Sequence, residues 1–350
     1  MKVLCIGDIH IKVSNVPEID EMTNKLVKLA QERKPNFIVL LGDILDRHAT
    51  INVFCLMRAE KIVLSLSQIA PTFLLVGNHD RPNNSSFLTD EHPFNAMKLW
   101  PNTYIIDKVS SYLFKDSPII EDIFKNVRSG NIPNEDEFRF VFAAYVSPGR
   151  FDEALNTIEN PLVNTVCVMG HQEFIGAQMG AIISTAGDKW SLDRPVCFSG
   201  HIHDFQVLQP NMIYVGVPLM HSFADRSDKT VSLFTFTKDE LNKINWNQER
   251  IDLGLIKKIT IYMTPEEIVN YEPEKDKLIK LVVRGDEASI KTIAKLDKVL
   301  QLKKLGVKVV FKTLQSTEIS TNKFVSKISF RDRFLQEISE EGLAWFNKLF

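Results

Sequence analysis

The chain of 350 residues has no apolar run long enough to cross a bilayer. Its first residues, Met1-Lys2-Val3-Leu4-Cys5-Ile6, enter a strand pattern directly, without the apolar stretch and small-residue cleavage site of a secretory signal. Cysteine is scarce. The four (Cys5, Cys55, Cys167, Cys197) are scattered, three of them inside apolar runs, which argues for buried free thiols over disulfides or a zinc-thiolate site. These absences together lead us to expect a cytoplasmic, reducing compartment and no membrane partner. Internal repeats and low-complexity tracts are also missing. An excess of one charge is lacking too: the net charge of −2 advertises no nucleic-acid partner. The average conceals an asymmetry. Residues 251–350 carry 18 Lys+Arg against 14 Asp+Glu, leaving 24 against 30 in residues 1–250. Acidic metal ligands would account for part of that deficit, and the small basic excess reads as a solvated face.

What the sequence does contain is a series of short apolar runs ending in polar clusters. Residues 2–7 form a strand pattern delivering Asp8-Ile9-His10, and alternate residues of an extended chain point the same way. An amphipathic helix over 17–33, with Ile19, Met22, Leu26 and Leu29 on one face, stops before Pro35. A second strand, 37–41, ends in Gly42-Asp43-Ile44-Leu45-Asp46-Arg47-His48. After a helix over about 50–69, the strand 73–76 ends in Gly77-Asn78-His79-Asp80, where Gly77 allows a sharp turn. Residues 82–102 read as a polar loop. Further strands are expected at 138–145, at 164–169 (ending in Gly170-His171-Gln172-Glu173), at 195–199 (ending in Gly200-His201-Ile202-His203-Asp204), and at 212–217 and 230–237. Alternating β and α argues for largely parallel sheets, in which ligands gather at the carboxyl ends of the strands. Two sheets stacked face to face with helices outside accommodate the count, a four-layer α/β/β/α arrangement.

The polar ends supply Asp8, His10, Asp43, Asn78, His171, His201 and His203. An Asp/His/Asn set without Cys suits two divalent cations, with Asp43 the natural bridge. Two such ions lower the pKa of a shared water and clamp the attacking and leaving oxygens of a phosphate ester. His79, beside Asn78, is free to protonate the leaving oxygen, with Asp46 or Asp80 to orient it.

The ordered set Asp-x-His, Gly-Asp-x-x-Asp, Gly-Asn-His-Asp, Gly-His and Gly-His-x-His resembles the calcineurin-like metallophosphoesterase superfamily over roughly residues 1–240. The resemblance implies one metal at Asp8, His10, Asp43 and His203, a second at Asp43, Asn78, His171 and His201, and His79 as the catalytic histidine. It implies Mn²⁺ as the metal, with Mg²⁺, Fe²⁺ or Zn²⁺ as alternatives. Within the superfamily the chain most resembles the SbcD-type nucleases, which include the T-even phage recombination endonuclease and the nuclease subunit of the MRN complex. Gly77-Asn78-His79-Asp80-Arg81-Pro82, the segment Tyr214-Val215-Gly216-Val217-Pro218 with His221-Ser222-Phe223-Ala224-Asp225, and a β-α-β module after the core carry that narrower likeness. One departure stands out. Asp46 occupies a position where several members have His, so a carboxylate is expected to orient His79 there. Asp80 is expected to hold the turn, Arg81 or Arg47 to meet a phosphate, and His92 and His221 to be loop histidines, although His221 could approach the site.

Three regions follow from this reading: a nuclease domain over 1–255, a capping domain over 256–328, and a helical segment over 329–350. In the second, strands at 277–283 and 307–313 flank a helix over 288–305 with Ile290, Ile293, Leu296 and Leu300 as its core stripe and Gly306 as its stop. In the third, Phe330, Phe334, Ile338, Trp345 and Leu349 suit docking onto a partner's coiled coil. The resemblance implies that partner to be an SbcC-like, SMC-type ATPase, in a dimeric complex acting on DNA as exonuclease and single-strand endonuclease, in the host cytoplasm for a phage-encoded chain. A phosphatase or small-molecule phosphodiesterase is the alternative, since Gly42–Arg47 also resembles the Gly-Asp-x-x-Asp-Arg of protein phosphatases. Those carry Glu after Gly-Asn-His, where this chain has Asp80. A metal-free scaffold subunit is the other alternative, and the complete ligand set argues against it.

Overall fold

The computed structural model describes residues 1–115, 127–134, 136–240 and 243–314. The segment 329–350, expected to be helical, and the end of the expected capping domain lie outside the described residues. The described residues form two compact units: those within Met1–Thr260 with Pro273–Lys280, and Ile261–Glu272 with Leu281–Leu314.

The first unit is built on two sheets. One is six-stranded and centres on four parallel strands, β1 (Lys2–Ile6), β2 (Phe37–Leu40), β3 (Thr72–Leu75) and β4 (Thr103–Ile106). Antiparallel β14 (Val231–Lys238) pairs with β1, and β15 (Ile244–Ile251) pairs with β14, giving the order β15-β14-β1-β2-β3-β4. The second sheet contains β5 (Ser110–Lys115), β6 (Val127–Ser129), β7 (Glu137–Ala143), β8 (Thr165–His171), β11 (Val196–Gly200), β12 (Gln206–Gln209) and β13 (Met212–Tyr214), in the order β12-β13-β11-β8-β7-β5-β6. Its four central strands, β7, β8, β11 and β13, run parallel. A two-stranded hairpin, β9 (Gln178–Met179) and β10 (Ile182–Ile183), projects between β8 and β11.

Period-two alternation sorts each strand into two faces. Val3 and Cys5 of β1 join Phe37, Phe73, Phe140, Phe142, Met169, Phe198, Phe234 and Phe236 in one buried cluster drawn from both sheets, so the sheets pack face to face. Leu4 and Ile6 point the other way, into a second cluster with α1 (Val16–Arg33) and α2 (Val53–Ser67). On α1 the buried residues Ile19, Met22, Leu26 and Leu29 fall at helical spacing, and Lys34 at φ 50 ends the helix before Pro35. Asn52 caps α2 by accepting the N–H of Phe54 at 2.9 Å. The outer face of the second sheet is covered by α3 (Phe151–Leu155) and by loops around Phe174 and Trp190. This is the mixed α/β fold of sheets flanked by helices that the sequence implied. All four cysteines are buried and free, and no described helix is long and apolar enough to cross a membrane.

A three-stranded sheet is formed by β16 (Lys257–Met263), β17 (Lys277–Gly285) and β18 (Lys308–Thr313), in that spatial order, and the ends of β16 and β17 beyond Thr260 and Lys280, with all of β18, belong to the second unit. Two helices, α4 (Glu287–Ile293) and α5 (Asp297–Lys304), replace the single helix expected over 288–305, because Leu296 is extended and serves as the cap of α5. The reason is geometric. Ile290 and Val299 are both buried, yet nine residues apart on one straight helix they would lie about 180° apart. Breaking the helix lets both face inward, and Leu300 of the expected core stripe is 52% exposed.

Candidate metal centre

The parallel strands of both sheets deliver their polar residues to one place. Asp8 and His10 follow β1, Asp43 follows β2, Asn78 and His79 follow β3, His171 ends β8, and His201 and His203 follow β11. All seven expected ligands converge there in two groups. In the first, His10 Nε2 lies 3.0 Å from His203 Nε2, with Asp43 Oδ2 3.7 Å from His10 and Asp8 Oδ2 3.9 Å from His203. In the second, Asn78 Oδ1 lies 3.0 Å from both His171 Nε2 and His201 Nδ1, and Asp43 Oδ2 is 3.4 Å from His171 Nε2. Asp43 belongs to both. His10 (φ 47), Asp43 (φ 48) and His201 (φ 78) sit in the left-handed region, a strained conformation that surrounding contacts must enforce.

The loops explain how that strain is held. Asp43 O accepts the N–H groups of Ile9 (3.1 Å) and His10 (2.9 Å), and Asp43 Oδ1 accepts that of His79 at 2.8 Å. Asp80 is buried and accepts from Gly77 N (3.1 Å) and Leu45 N (2.9 Å), tying the loop after β3 to the loop after β2. Gly77 is required for close approach, not for a left-handed turn: a Cβ there would collide with the Asp43 carboxylate and backbone nitrogen. Gly42, at φ 102, is constrained twice, since its Cβ would also meet His171 Nδ1 at 2.5 Å.

Electrostatically the cluster calls for cations. Asp8, Asp43 and Asp80 are all buried. Burial, with the neighbouring Asp43, pushes Asp8 up to about 7, and burial and Asp43 do the same to Asp80. Burial works to raise Asp43 as well, but His171 and His10 outweigh it and hold that carboxyl well below the usual range. Burial disfavours charge on His171, yet Asp43 and Asp8 lift it to about 9, whereas burial drives His10 and His201 down to about 3. His171 Nδ1 donates to the carbonyl of Leu41 at 2.7 Å; a carbonyl only accepts, so His171 Nε2 is the nitrogen turned to Asn78 Oδ1 and Asp43. That is the arrangement of a metal-ligating histidine, its outer N–H fixed on a carbonyl and its other nitrogen facing oxygen donors. The residues present therefore fit divalent cations.

The structure alters two expectations. His79 Nδ1 is held at 2.8 Å by the backbone carbonyl of Asp46, not by its carboxylate, and His79 stacks on His48 with ring centroids 4.5 Å apart. The Asp46 carboxylate instead lies 3.5 Å from Lys12 Nζ and 4.0 Å from His10 Nδ1. Arg81 is no surface reader of phosphate: it is 2% exposed and donates to Tyr145 O (2.6 Å) and Asn83 O (3.2 Å). His221, a loop histidine by default with an approach to the site left open, does approach it and packs 5.0 Å ring to ring against both His10 and His203. Glu173, to which the sequence assigned no role, places Oε2 3.9 Å from His201 Nε2. Seven of the eight histidines thus gather here; His92 is the exception, paired with Asp107 at 3.2 Å.

Several cavities adjoin the centre. Cavities of about 400 Å³ and 280 Å³, both lined by Leu45, Arg47 and Ile51, adjoin Asp46 and His79 respectively. A third, of about 260 Å³, lies between His201, His203 and the hairpin residues Gln178–Gly180.

The sequence pattern of the calcineurin-like phosphoesterase family matches residues 1–205. The chain is 37% identical over 297 residues to "Putative phosphoesterase 244L" of Invertebrate iridescent virus 6, covering 84% of this chain and 97% of that one. It is 34% identical over 347 residues to "Putative phosphoesterase 078R" of Invertebrate iridescent virus 3, covering 97% and 92%. Among solved structures it is similar to GAP50, the anchor in the inner membrane complex of Plasmodium, at 12% identity and TM-score 0.44, covering 72% of this chain and 84% of that one.

Proposed function

The chain belongs to the calcineurin-like phosphoesterase family and is a metal-dependent phosphoesterase; on that premise we propose that its substrate is DNA, cut as a phosphodiester by an SbcD-type nuclease. The observation that carries this reading is that separate cavities adjoin the centre, at Asp46, at His79, and at His201 and His203. A phosphomonoester needs room on one side of the reacting phosphorus; a diester continues on both. The second, sheet-bearing unit after the core and the Gly77–Pro82 loop support the same reading.

Asp8, His10, Asp43 and His203 would hold one divalent ion, and Asp43, Asn78, His171 and His201 the other, with Mn²⁺ the proposed metal. Bound there, such ions supply positive charge to the non-bridging oxygens and acidify water. The chain's own residues do the rest. Asp43 spans both groups and, through the His79 N–H, fixes the loop that carries the acid. The Asp46 carbonyl holds His79 Nδ1–H and leaves Nε2 free, and the doubly protonated imidazolium would give its Nε2 proton to the departing oxygen and remain as the neutral Nδ1–H imidazole. Asp80 keeps the two loops in register. The same reading includes a homodimer and an SbcC-like ATPase bound through residues 329–350.

Assays with Mn²⁺ on plasmid, single-stranded DNA and a generic phosphomonoester, with His79→Asn as control, test the substrate. Cleavage of DNA lost in the variant is the expected result. Turnover of the monoester alone would replace the nuclease with a phosphatase. Deleting residues 329–350 should abolish ATPase association and spare single-strand cleavage; retained association would remove that segment's role.

A further inference from the structure

We propose that His221 is an additional metal ligand, giving the ion at Asp8, His10, Asp43 and His203 a third imidazole. Three observations carry the inference. One nitrogen each from His10, His203 and His221 can be chosen so that all lie within 4.8 Å of one another, a spacing that a single cation satisfies. The rings meet edge to face at 5.0 Å, His221 against both others, so no side chain separates them. Finally, His221 Nε2 lies 3.2 Å from the backbone carbonyl of Asp8. A carbonyl only accepts, so Nε2 carries the hydrogen and Nδ1 is left with its lone pair. That Nδ1 is buried and has no hydrogen-bond partner. An orphaned buried acceptor is costly, and a cation beside His10 and His203 removes the cost.

The pattern repeats that of His171: an outer N–H anchored on a main-chain carbonyl, the second nitrogen given to the site. The loop is preset for it. Asp225 Oδ2 accepts the N–H of His221 (2.7 Å) and of Ser222 (3.2 Å), and Oδ1 accepts from Ser222 Oγ at 2.5 Å. Chemically, three imidazoles with two carboxylates shift this position away from Mg²⁺, which prefers oxygen, toward Mn²⁺, Fe²⁺ or Zn²⁺. The second position, with two imidazoles, one amide oxygen and a shared carboxylate, lacks that bias to the same degree.

The inference rests on the two-metal reading, and the test separates the two. The full chain is stripped of metal and titrated calorimetrically with Zn²⁺, for the native protein, His221→Gln and His221→Ala. Gln keeps an N–H for the Asp8 carbonyl and removes the imidazole nitrogen; Ala removes both. A ligand role requires both variants to lose about tenfold or more in affinity at one of two positions. If Gln binds like the native protein and only Ala is weakened, His221 is an anchor for Asp8 and the proposal is wrong. A crystal of the Zn²⁺-loaded native protein decides independently of whether the variants fold. His221 Nδ1 should lie at the roughly 2.0–2.1 Å of a Zn–N bond. Ions present with Nδ1 out of bonding range overturn this inference alone; no ion at either position overturns the two-metal reading with it.

Discussion

Asp43 reaches His79 through the main chain and the metal groups through its carboxylate: Oδ1 accepts the His79 N–H at 2.8 Å, and Oδ2 faces His171 at 3.4 Å and His10 at 3.7 Å. One side chain thereby ties the two donor groups to His79, the histidine proposed as the acid. The loop after β3 can approach Asp43 this closely only because residue 77 has no side chain.

Gly77→Ala should therefore act on both stability and metal binding. The added Cβ meets backbone as well as carboxylate, so the loops must part, an overpacking cost of about 1–3 kcal/mol. Urea denaturation of the metal-free variant should show that loss, and Mn²⁺ should restore less stability than in the native protein. A variant as stable as the native protein, with equal response to Mn²⁺, would mean that the loop relaxes without disturbing Asp43.

Chelation should lower the melting temperature. Binding to the folded state alone stabilises by about 2.7 kcal/mol at a ligand concentration a hundredfold above Kd. For a chain of this size that corresponds to roughly 4 °C for each ion bound. Calorimetric melts in Mn²⁺ and in chelator measure the difference, and His10→Ala should reduce it. Equal melting temperatures would show that the buried carboxylates need no cation to persist.

The strand ends were legible because each joined a period-two apolar run to an abrupt polar cluster. Asp8, Asp43, Asn78 and His201 could be placed at carboxyl ends before any contact was known, and the parallel sheets bring those ends together. Less was legible where packing overrides pattern. β15 alternates between half-buried and exposed residues without a buried face, so Ile244–Ile251 offers little apolar signal, and pairing with β14 makes it a strand. The break at Leu296 has no Gly or Pro to announce it; only the burial of both Ile290 and Val299 requires it. Main-chain contacts were invisible for a different reason. That Asp46 holds His79 by its carbonyl, or that His221 meets the carbonyl of Asp8, depends on loop conformation and not on residue type.

Acid stability should depend on Asp107, which is not among the donor groups of the centre. Burial alone would raise its carboxyl, but the bonds from His92 (3.2 Å) and Lys98 (2.5 Å) outweigh it and hold it down to about 2. A folded-state value below the unfolded one contributes stability that is complete above about pH 4 and lost as pH falls through about 2. Asp107→Asn should remove on the order of 1–2 kcal/mol at neutral pH. The native and variant proteins should then converge in stability toward pH 2. Denaturation curves across pH 2–7 in chelator test this, and a constant gap between the two would rule out the titration of Asp107 as its origin.

The sharpest test of the catalytic arrangement compares residues 46, 48 and 79. His79→Asn removes the only imidazole nitrogen assigned to the leaving oxygen, and general-acid loss is typically 10²–10⁴-fold in rate. Asp46→Asn keeps the carbonyl that holds His79 Nδ1–H, so His79 should stay in place and turnover with saturating metal should fall by only a few-fold. The change should appear instead in the neighbourhood of His10 and Lys12, which face the carboxylate. His48→Ala removes the ring stacked on His79 and should fall between the two, because Nδ1–H keeps its carbonyl while the imidazole gains freedom to tilt. Turnover measured under metal saturation, with metal affinity determined separately, gives the order. Were Asp46→Asn to match His79→Asn in rate at full metal occupancy, the carboxylate and not the main chain would be orienting the acid.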